Sequence, residues 1–254
     1  MYLETMISPL PIPCNKAVKE AIGDFVKLHK RYQSMPMTPL SITAEIATGY
    51  IPANVDGSCN FDGILAWAVL TMLPGPVLYP NREAVVVPVP LKQLWISSDG
   101  KPLWAATPLR PVSGFALGRE YWHKRYPVER AEFSRKINAN TSAGRYKEIR
   151  TPVITRNCEK ITCIALGNKP ETERLLTCAS HVGKKGNSGY GRIVRWNVEE
   201  LGMNPEDAER AILNMRPVPK ISPLAEGLTG RGAAYCGWTP PYWYAPWHLE
   251  CVVG

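Results

Sequence analysis

Apolar residues recur along this chain in two rhythms, and the switches between them mark out its elements. From Asn15 to Gln33, Val18, Ala21, Ile22, Phe25, Val26 and Leu28 return every three or four positions, while Lys16, Lys19, Lys27, Lys30 and Arg31 lie largely on the other side. That spacing predicts an amphipathic helix, packed on the body or serving as an arm toward a partner. Ser34 to Pro39 reads as a linker with two prolines. From Leu40 to Thr48 the period falls to two, with Leu40, Ile42, Ala44 and Ile46 on one face and Ser41, Thr43, Glu45 and Ala47 on the other, which predicts a strand. Gly49 to Asn60 reads as a loop. Phe61 to Leu73 is nearly all apolar and long enough for a buried helix, with Asp62 as a candidate cap and Pro74-Gly75-Pro76 as a stop.

Further along, Val85 to Val89 and Gln93 to Ser97 read as strands, and Ser98-Asp99-Gly100 as a turn returning through Lys101 to Thr107, with Trp95 and Trp104 expected to face each other. Glu159 to Leu166 alternates as a strand. Pro170 to Ala179 reads as a helix, since proline and acids occupy its first turn where the helix dipole favours them. Arg192 to Val198 reads as a strand, and Asn204 to Asn214 as a short helix. Arg216 to Gly232 is a proline- and glycine-rich crossing. Ala234 to Trp238 and Leu249 to Val253 are expected to pair as edge strands. Strand-helix at 40–73 and strand-helix-loop-strand at 159–198 supply the two halves of a β-α-β-β-α-β unit. The expected organisation is an N-terminal extension at 1–39, a core at 40–200 with an insertion at 118–160, and an aromatic-rich C-terminal extension at 201–254.

Charge changes this picture most. The net charge is +8 and the pI about 9.1, which favours a polyanionic partner. Gly118 to Lys160 holds eleven Lys and Arg against five acids, so it carries most of the surplus. Tyr121, Trp122, Tyr126, Phe133 and Tyr146 are interleaved with Arg119, Lys124, Arg125, Arg145, Lys147 and Arg150, a mixture suited to following a phosphate backbone and stacking bases. A solvated charged face is the alternative. Ile137 to Gly144 reads as mobile. A hydrophobic content of 45% and 20% charged residues describe a folded protein. The seven cysteines show no C-x-x-C and suit reduced thiols in the cytoplasm. Cys158 and Cys163 are candidate zinc ligands with Cys178, Cys236 or His181, although Cys163 and Cys178 also fit apolar patterns as small core hydrophobes. Acids and prolines stand where a signal peptide needs cations, and no apolar run approaches the ~20 residues of a membrane helix, so neither secretion nor a membrane partner is expected.

The second chemical signal is His181-Val182-Gly183-Lys184-Lys185-Gly186-Asn187-Ser188-Gly189-Tyr190-Gly191-Arg192. It has four glycines in nine positions, and between Gly183 and Val198 the cations Lys184, Lys185, Arg192 and Arg195 meet no acid. The order helix, glycine loop, strand reverses both the Walker A and dinucleotide-binding topologies, so neither applies. What remains is a loop whose amides and lysines can follow a sugar-phosphate backbone, or a glycine-rich turn with incidental lysines.

Gly183 to Arg192 resembles the glycine-rich loop of the CRISPR-associated RAMP superfamily. Ile42 to Thr48 with Phe61 to Ala68, and Trp238-Thr239-Pro240-Pro241-Tyr242-Trp243, resemble the first strand and helix and the C-terminal segment of the type IV effector subunit of the Cas-five-like group (Csf family). The similarity is carried by short motifs between residues 40 and 250, and Met1 to Pro39 is not matched. The resemblance implies an α+β fold with a ferredoxin-like (RRM-related) core, a thumb-like insertion at the basic segment, and a glycine loop contacting guide RNA. It also implies a subunit that caps the five-prime handle of the crRNA and helps recognise target DNA near its flanking motif. The partners it implies are backbone (Cas-seven-like) and large subunits.

Candidate RNA contacts are therefore Gly183 to Arg192 with Arg195, and Arg119, Trp122, His123, Lys124, Arg125, Arg145, Tyr146, Lys147 and Arg150. An endoribonuclease would need a general acid or base beside a 2′-OH. His123-Lys124 with Tyr121 or Tyr126, and His181, are the candidates. No second histidine lies near either in sequence, and there is no H-E-x-x-H, G-x-S-x-G or carboxylate cluster. A non-catalytic RNA-binding subunit without cofactor is the expectation. A crRNA-processing nuclease, or another RRM-like RNA-binding protein, is the alternative.

Overall fold

The computed structural model describes residues 16–52, 59–72, 84–113, 116–125, 142, 147–183, 186, 189–228 and 230–253. In chain order the elements are α1 (Lys16–Gln33), β1 (Thr38–Ile46), β2 (Tyr50–Pro52), β3 (Cys59–Asn60), α2 (Phe61–Met72), β4 (Gln93–Ile96), β5 (Pro102–Trp104), β6 (Pro108–Pro111), β7 (Ala116–Lys124), β8 (Ile149–Asn157), β9 (Lys160–Gly167), α3 (Lys169–Leu176), β10 (Ile193–Glu200), α4 (Pro205–Met215), β11 (Val218–Pro219), β12 (Gly232–Cys236) and β13 (Leu249–Val253).

The alternation of β1 does what its pattern demands. Leu40, Ile42 and Ala44 are fully buried, while Ser41, Thr43 and Glu45 face the other way. β1 pairs antiparallel with β9 on one side and β10 on the other, within a five-stranded sheet ordered β10-β1-β9-β6-β3. Its inward face joins Phe61, Leu65, Ala68 and Val69 of α2 and Leu175 and Leu176 of α3 in the main core. α4 covers part of the opposite face, where Ile212 packs with Leu166 and Ile164 of β9.

β1 passes through a turn at Gly49 into β2, and β8 runs through Cys158 and Glu159 into β9, with Cys158 N–H donating to the Gly49 carbonyl at 2.9 Å. A second sheet, β2-β8-β7, is thereby set end to end on the first. A third sheet, β11-β13-β12, closes over Trp238, Leu103 and Cys251 with the β4-β5 hairpin.

Several expectations change here. The Gly49–Asn60 stretch is not only loop, since its ends form β2 and β3. Val85 to Val89 is not a strand, because Pro88 and Pro90 remove the N–H donors a ladder needs. The missing sheet member is instead β6. Trp95 and Trp104 do not face each other. A register shift between Gln93 and Trp95 sets Gln93 opposite Trp104, Trp95 packs on Trp238 at 5.5 Å, and Trp104 lies beside His29. Of the expected edge strands only β12 is an edge, and β13 is central. Asp62 does accept a first-turn amide of α2, the Gly63 N–H at 2.9 Å, but capping is not all it does. Its carboxylate is buried and accepts the Tyr242 hydroxyl proton, at 2.7 and 2.8 Å to its two oxygens.

The N-terminal helix is locked to the core by one carboxylate. Asn168 caps α3 by accepting the Glu171 N–H at 3.1 Å. Glu171, itself buried, accepts from Arg174 at 2.6 and 3.0 Å, from the Tyr32 hydroxyl at 3.1 Å and from Arg31 at 3.4 Å. Arg174 above all, then Tyr32 and Arg31, hold this carboxyl below its ordinary value of 4.5. A depressed folded value means stability that is present above the ordinary carboxylate range and lost as pH falls through the folded value. Glu171→Gln is expected to cost about 1–3 kcal/mol at neutral pH. It should also flatten the acid limb of stability below pH 4.5, read by urea titration at a series of pH values. An acid limb identical to wild type would count against the cluster.

Candidate nucleic-acid interface

The basic segment is not featureless. Ala116 to Lys124 pairs residue for residue with Ile149 to Asn157, from Ala116 opposite Asn157 to Lys124 opposite Ile149. The nine-residue strands extend about 30 Å. Strand geometry then sorts their side chains onto two faces.

On the face toward the body lie Glu120, Trp122 and Lys124 with Val153 and Thr155, the last two buried. On the outward face, one strand carries Leu117, Arg119, Tyr121 and His123, and the other Arg156, Ile154, Pro152 and Arg150. That face has cations and apolar groups and no acid. Leu117, Ile154 and Tyr121 are exposed at 66, 54 and 40%. The Arg150 guanidinium sits over the Tyr121 ring, 4.0 Å from its centroid. A cation on an aromatic face presents a flat, positively charged ledge that suits a nucleobase and its phosphate together.

The glycine loop is tied to the foot of this hairpin. Val182 N–H donates to the Gly191 carbonyl at 2.9 Å and His181 bridges Arg192, closing the loop at its neck. Gly191 has φ +62, and a Cβ on it would stand 2.1 Å from the Val182 carbonyl oxygen, so only glycine fits. Gly183, at φ +79, lies against Pro52 of β2. Tyr190 packs edge-on against Tyr50 of β2, with centroids 5.8 Å apart. Burial first, and the nearby Glu120 second, raise the Tyr190 hydroxyl's pKa. Tyr50 and Pro52 share the face of Asn157 and Thr155, so β2 packs the loop against the Glu120 side of the hairpin, and the acid-free face looks away from it.

Tyr190, among the expected RNA contacts, is 7% exposed and packs as an anchor of the loop. Arg192, Arg119, His123, Lys124, Arg125, Lys147 and Arg150 are exposed, and Trp122 half-buried on the body-facing side. Gly183 and Gly189 are exposed, and Gly189 N–H donates to the Gly186 carbonyl at 2.8 Å. Arg195 lies on the outer face of the main sheet, bonded to Glu45 at 2.8 Å, with Lys160 on the same carboxylate at 3.5 Å. Lys184, Lys185, Asn187, Ser188, Arg145 and Tyr146, and all of Ile137 to Gly144 except Ser142, lie outside the described residues.

Of the histidines considered for catalysis, His123 stands opposite Arg150 on the outward face, and His181 Nδ1 is 2.9 Å from the Ser180 hydroxyl. Cys158 and Cys163 are buried, and burial pushes both thiols up. Among the described residues no group of three or more His, Cys, Asp or Glu side chains is arranged to hold a metal. No helix among them is long and apolar enough to cross a membrane.

Residues 102–251, more than half of the chain, match the family model of the CRISPR type IV associated protein Csf3. No curated protein matches the chain.

Proposed function

Since this chain belongs to the family of the CRISPR type IV associated protein Csf3 and so to a type IV CRISPR system, we propose that it is the non-catalytic subunit that holds the five-prime handle of the crRNA. The observation that carries this reading is a closed glycine loop tied through β2 to a basic hairpin, one face of which carries cations and no acid. Loop amides and lysines would hold phosphates, while the Tyr121-Arg150 ledge would support a base. The strand order β10-β1-β9-β6, antiparallel with α2 following β1 and α3 following β9, supports a ferredoxin-like RAMP core beneath that surface. The hairpin supports the thumb-like reading of the insertion. Contact with target DNA near the flanking motif, and assembly in the cytoplasm with Cas-seven-like and large subunits, belong to the same proposal.

The test uses purified protein and a labelled repeat RNA without metal. Tight binding of the handle with no cleavage is expected, and Lys184→Ala with Lys185→Ala should lower the slope of log K against log salt by roughly 0.7 for each phosphate no longer neutralised. General acid-base groups contribute ~100- to 10,000-fold in rate, so a catalytic histidine would be visible. Cleavage lost in His123→Ala or His181→Ala would replace this function with an endoribonuclease. A slope unchanged in the lysine variant would remove the glycine loop from the RNA surface.

A further inference from the structure

β10 ends its sheet among the described residues, and its main chain shows what is left unpaired. Leu201 N–H donates to the Pro39 carbonyl at 2.8 Å, which, with Ser41 opposite Glu199 and Thr43 opposite Asn197, makes Glu199, Asn197 and Arg195 the residues bonded to β1. The N–H and C=O groups of Trp196, Val198 and Glu200 therefore point away from the sheet. Beside that edge is a cleft of about 500 Å³ between β10 and the end of α3, with Leu176, Ala179 and Trp196 among its walls. Trp196 is fixed there by its indole N–H, which donates to the Ala179 carbonyl at 2.7 Å. Val194, 65% exposed, lies at the start of the same edge. No proline interrupts β10, and the one irregularity in its pairing lies at its first residues, opposite Glu45 and Ile46. Bare edges of this kind are sites of strand addition.

Charge narrows the occupant. On a chain of net charge +8, the exposed acid Glu173 of α3 lines this cleft, its one lining cation, Arg195, is already paired with Glu45 at 2.8 Å, and Glu200 is exposed at the end of β10. A nucleic acid offers neither alternating main-chain donors and acceptors nor a charge these acids would accept. We infer that the β10 edge takes an extended segment of a partner polypeptide. That segment adds one strand to the sheet, sets an apolar side chain in the cleft, and places Lys or Arg beside Glu173 and Glu200. This surface lies apart from the glycine loop and hairpin, so protein and RNA can be held at once.

Amide hydrogen exchange at single-residue resolution tests this in three samples: the isolated chain, the chain with crRNA alone, and the effector complex assembled from co-expressed subunits. In the isolated chain Trp196, Val198 and Glu200 should exchange quickly, and Asn197 and Glu199 slowly. All five should be slow in the complex, and crRNA alone should leave the alternation intact. Glu173→Lys and Val194→Lys should each weaken association with the protein subunits by about tenfold or more while leaving RNA affinity unchanged. Protection by crRNA alone would assign the edge to nucleic acid. Protection that rises with concentration of the isolated chain would assign it to a second copy, and unchanged alternation in the complex would leave it unoccupied. Each of these three results overturns the inference, and none depends on how the handle RNA binds.

Discussion

Replacing Arg216 by alanine is expected to lower the stability of the fold by about 3–5 kcal/mol, the usual consequence of leaving one member of a buried ion pair alone. Arg216 is 3% exposed and gathers three distant segments. Its guanidinium donates to the Trp104 carbonyl, to the Ala106 carbonyl at 3.1 Å and to the Trp238 carbonyl at 2.7 Å, and reaches the Asp62 carboxylate at 3.4 Å. Burial drives the Asp62 carboxyl pKa up, while Arg216 and then the Tyr242 hydroxyl pull it back down. Without Arg216 the carboxylate must take a proton or remain charged in an apolar setting, and three buried carbonyls lose a donor. Tyr242→Phe removes one hydroxyl and should cost less, about 1–2 kcal/mol. Asp62→Asn with Arg216→Met, which removes both charges, should recover part of the loss. Denaturant midpoints at constant m report these differences. A loss below about 1 kcal/mol in Arg216→Ala would mean that the segments are held by apolar packing alone.

That network also shows what the sequence could and could not reveal. The alternation of β1 and β9, the apolar run of α2, and the proline and acids at the start of α3 were legible because each is a local signal. β6 was not, since Pro108–Pro111 is short and bounded by prolines, and it joins the sheet only by pairing with β9. The hairpin was hidden for a different reason. Its outward face alternates cation with apolar group, so the hydrophobic period is diluted where the chemistry is richest. Only the register of Arg119 with Ile154 and Tyr121 with Pro152 makes the surface visible. One signal could have exposed the buried pair. Asp62 is a lone acid in an otherwise apolar helix, and such an acid needs a cation from elsewhere in the chain. The sequence offers many arginines, and the fold alone selects Arg216. In the same way the glycine pattern indicated a loop, but not that Tyr190 would be buried as its anchor.

The glycines of that loop are not equivalent, and a pair of substitutions should separate them. Gly189 has φ +83 with no atom within 4 Å of an added Cβ. Gly189→Ala should thus meet only the backbone cost of the left-handed region, about 1 kcal/mol. Gly191 shares the left-handed conformation at φ +62, but its added methyl would overlap the Val182 carbonyl, the acceptor-bearing group next to the hydrogen bond that closes the neck. The chain cannot relieve that overlap by a rotamer change, because both partners are backbone. Gly191→Ala should open the neck and displace Tyr190 from Tyr50, at a cost of about 3 kcal/mol, the upper end for strained backbone. Ile193 and Val198 stay anchored in the main core, so the damage should remain local. Tryptophan fluorescence should change little, while the main unfolding transition falls by up to that cost and exchange of the Val182 amide accelerates. If the loop holds guide RNA, the affinity of Gly191→Ala for the handle should drop roughly tenfold or more, against a small change in Gly189→Ala. Equal effects of the two variants would mean that the neck does not set the loop's shape. An accelerated Val182 amide with undiminished RNA affinity would move the RNA surface to the hairpin alone.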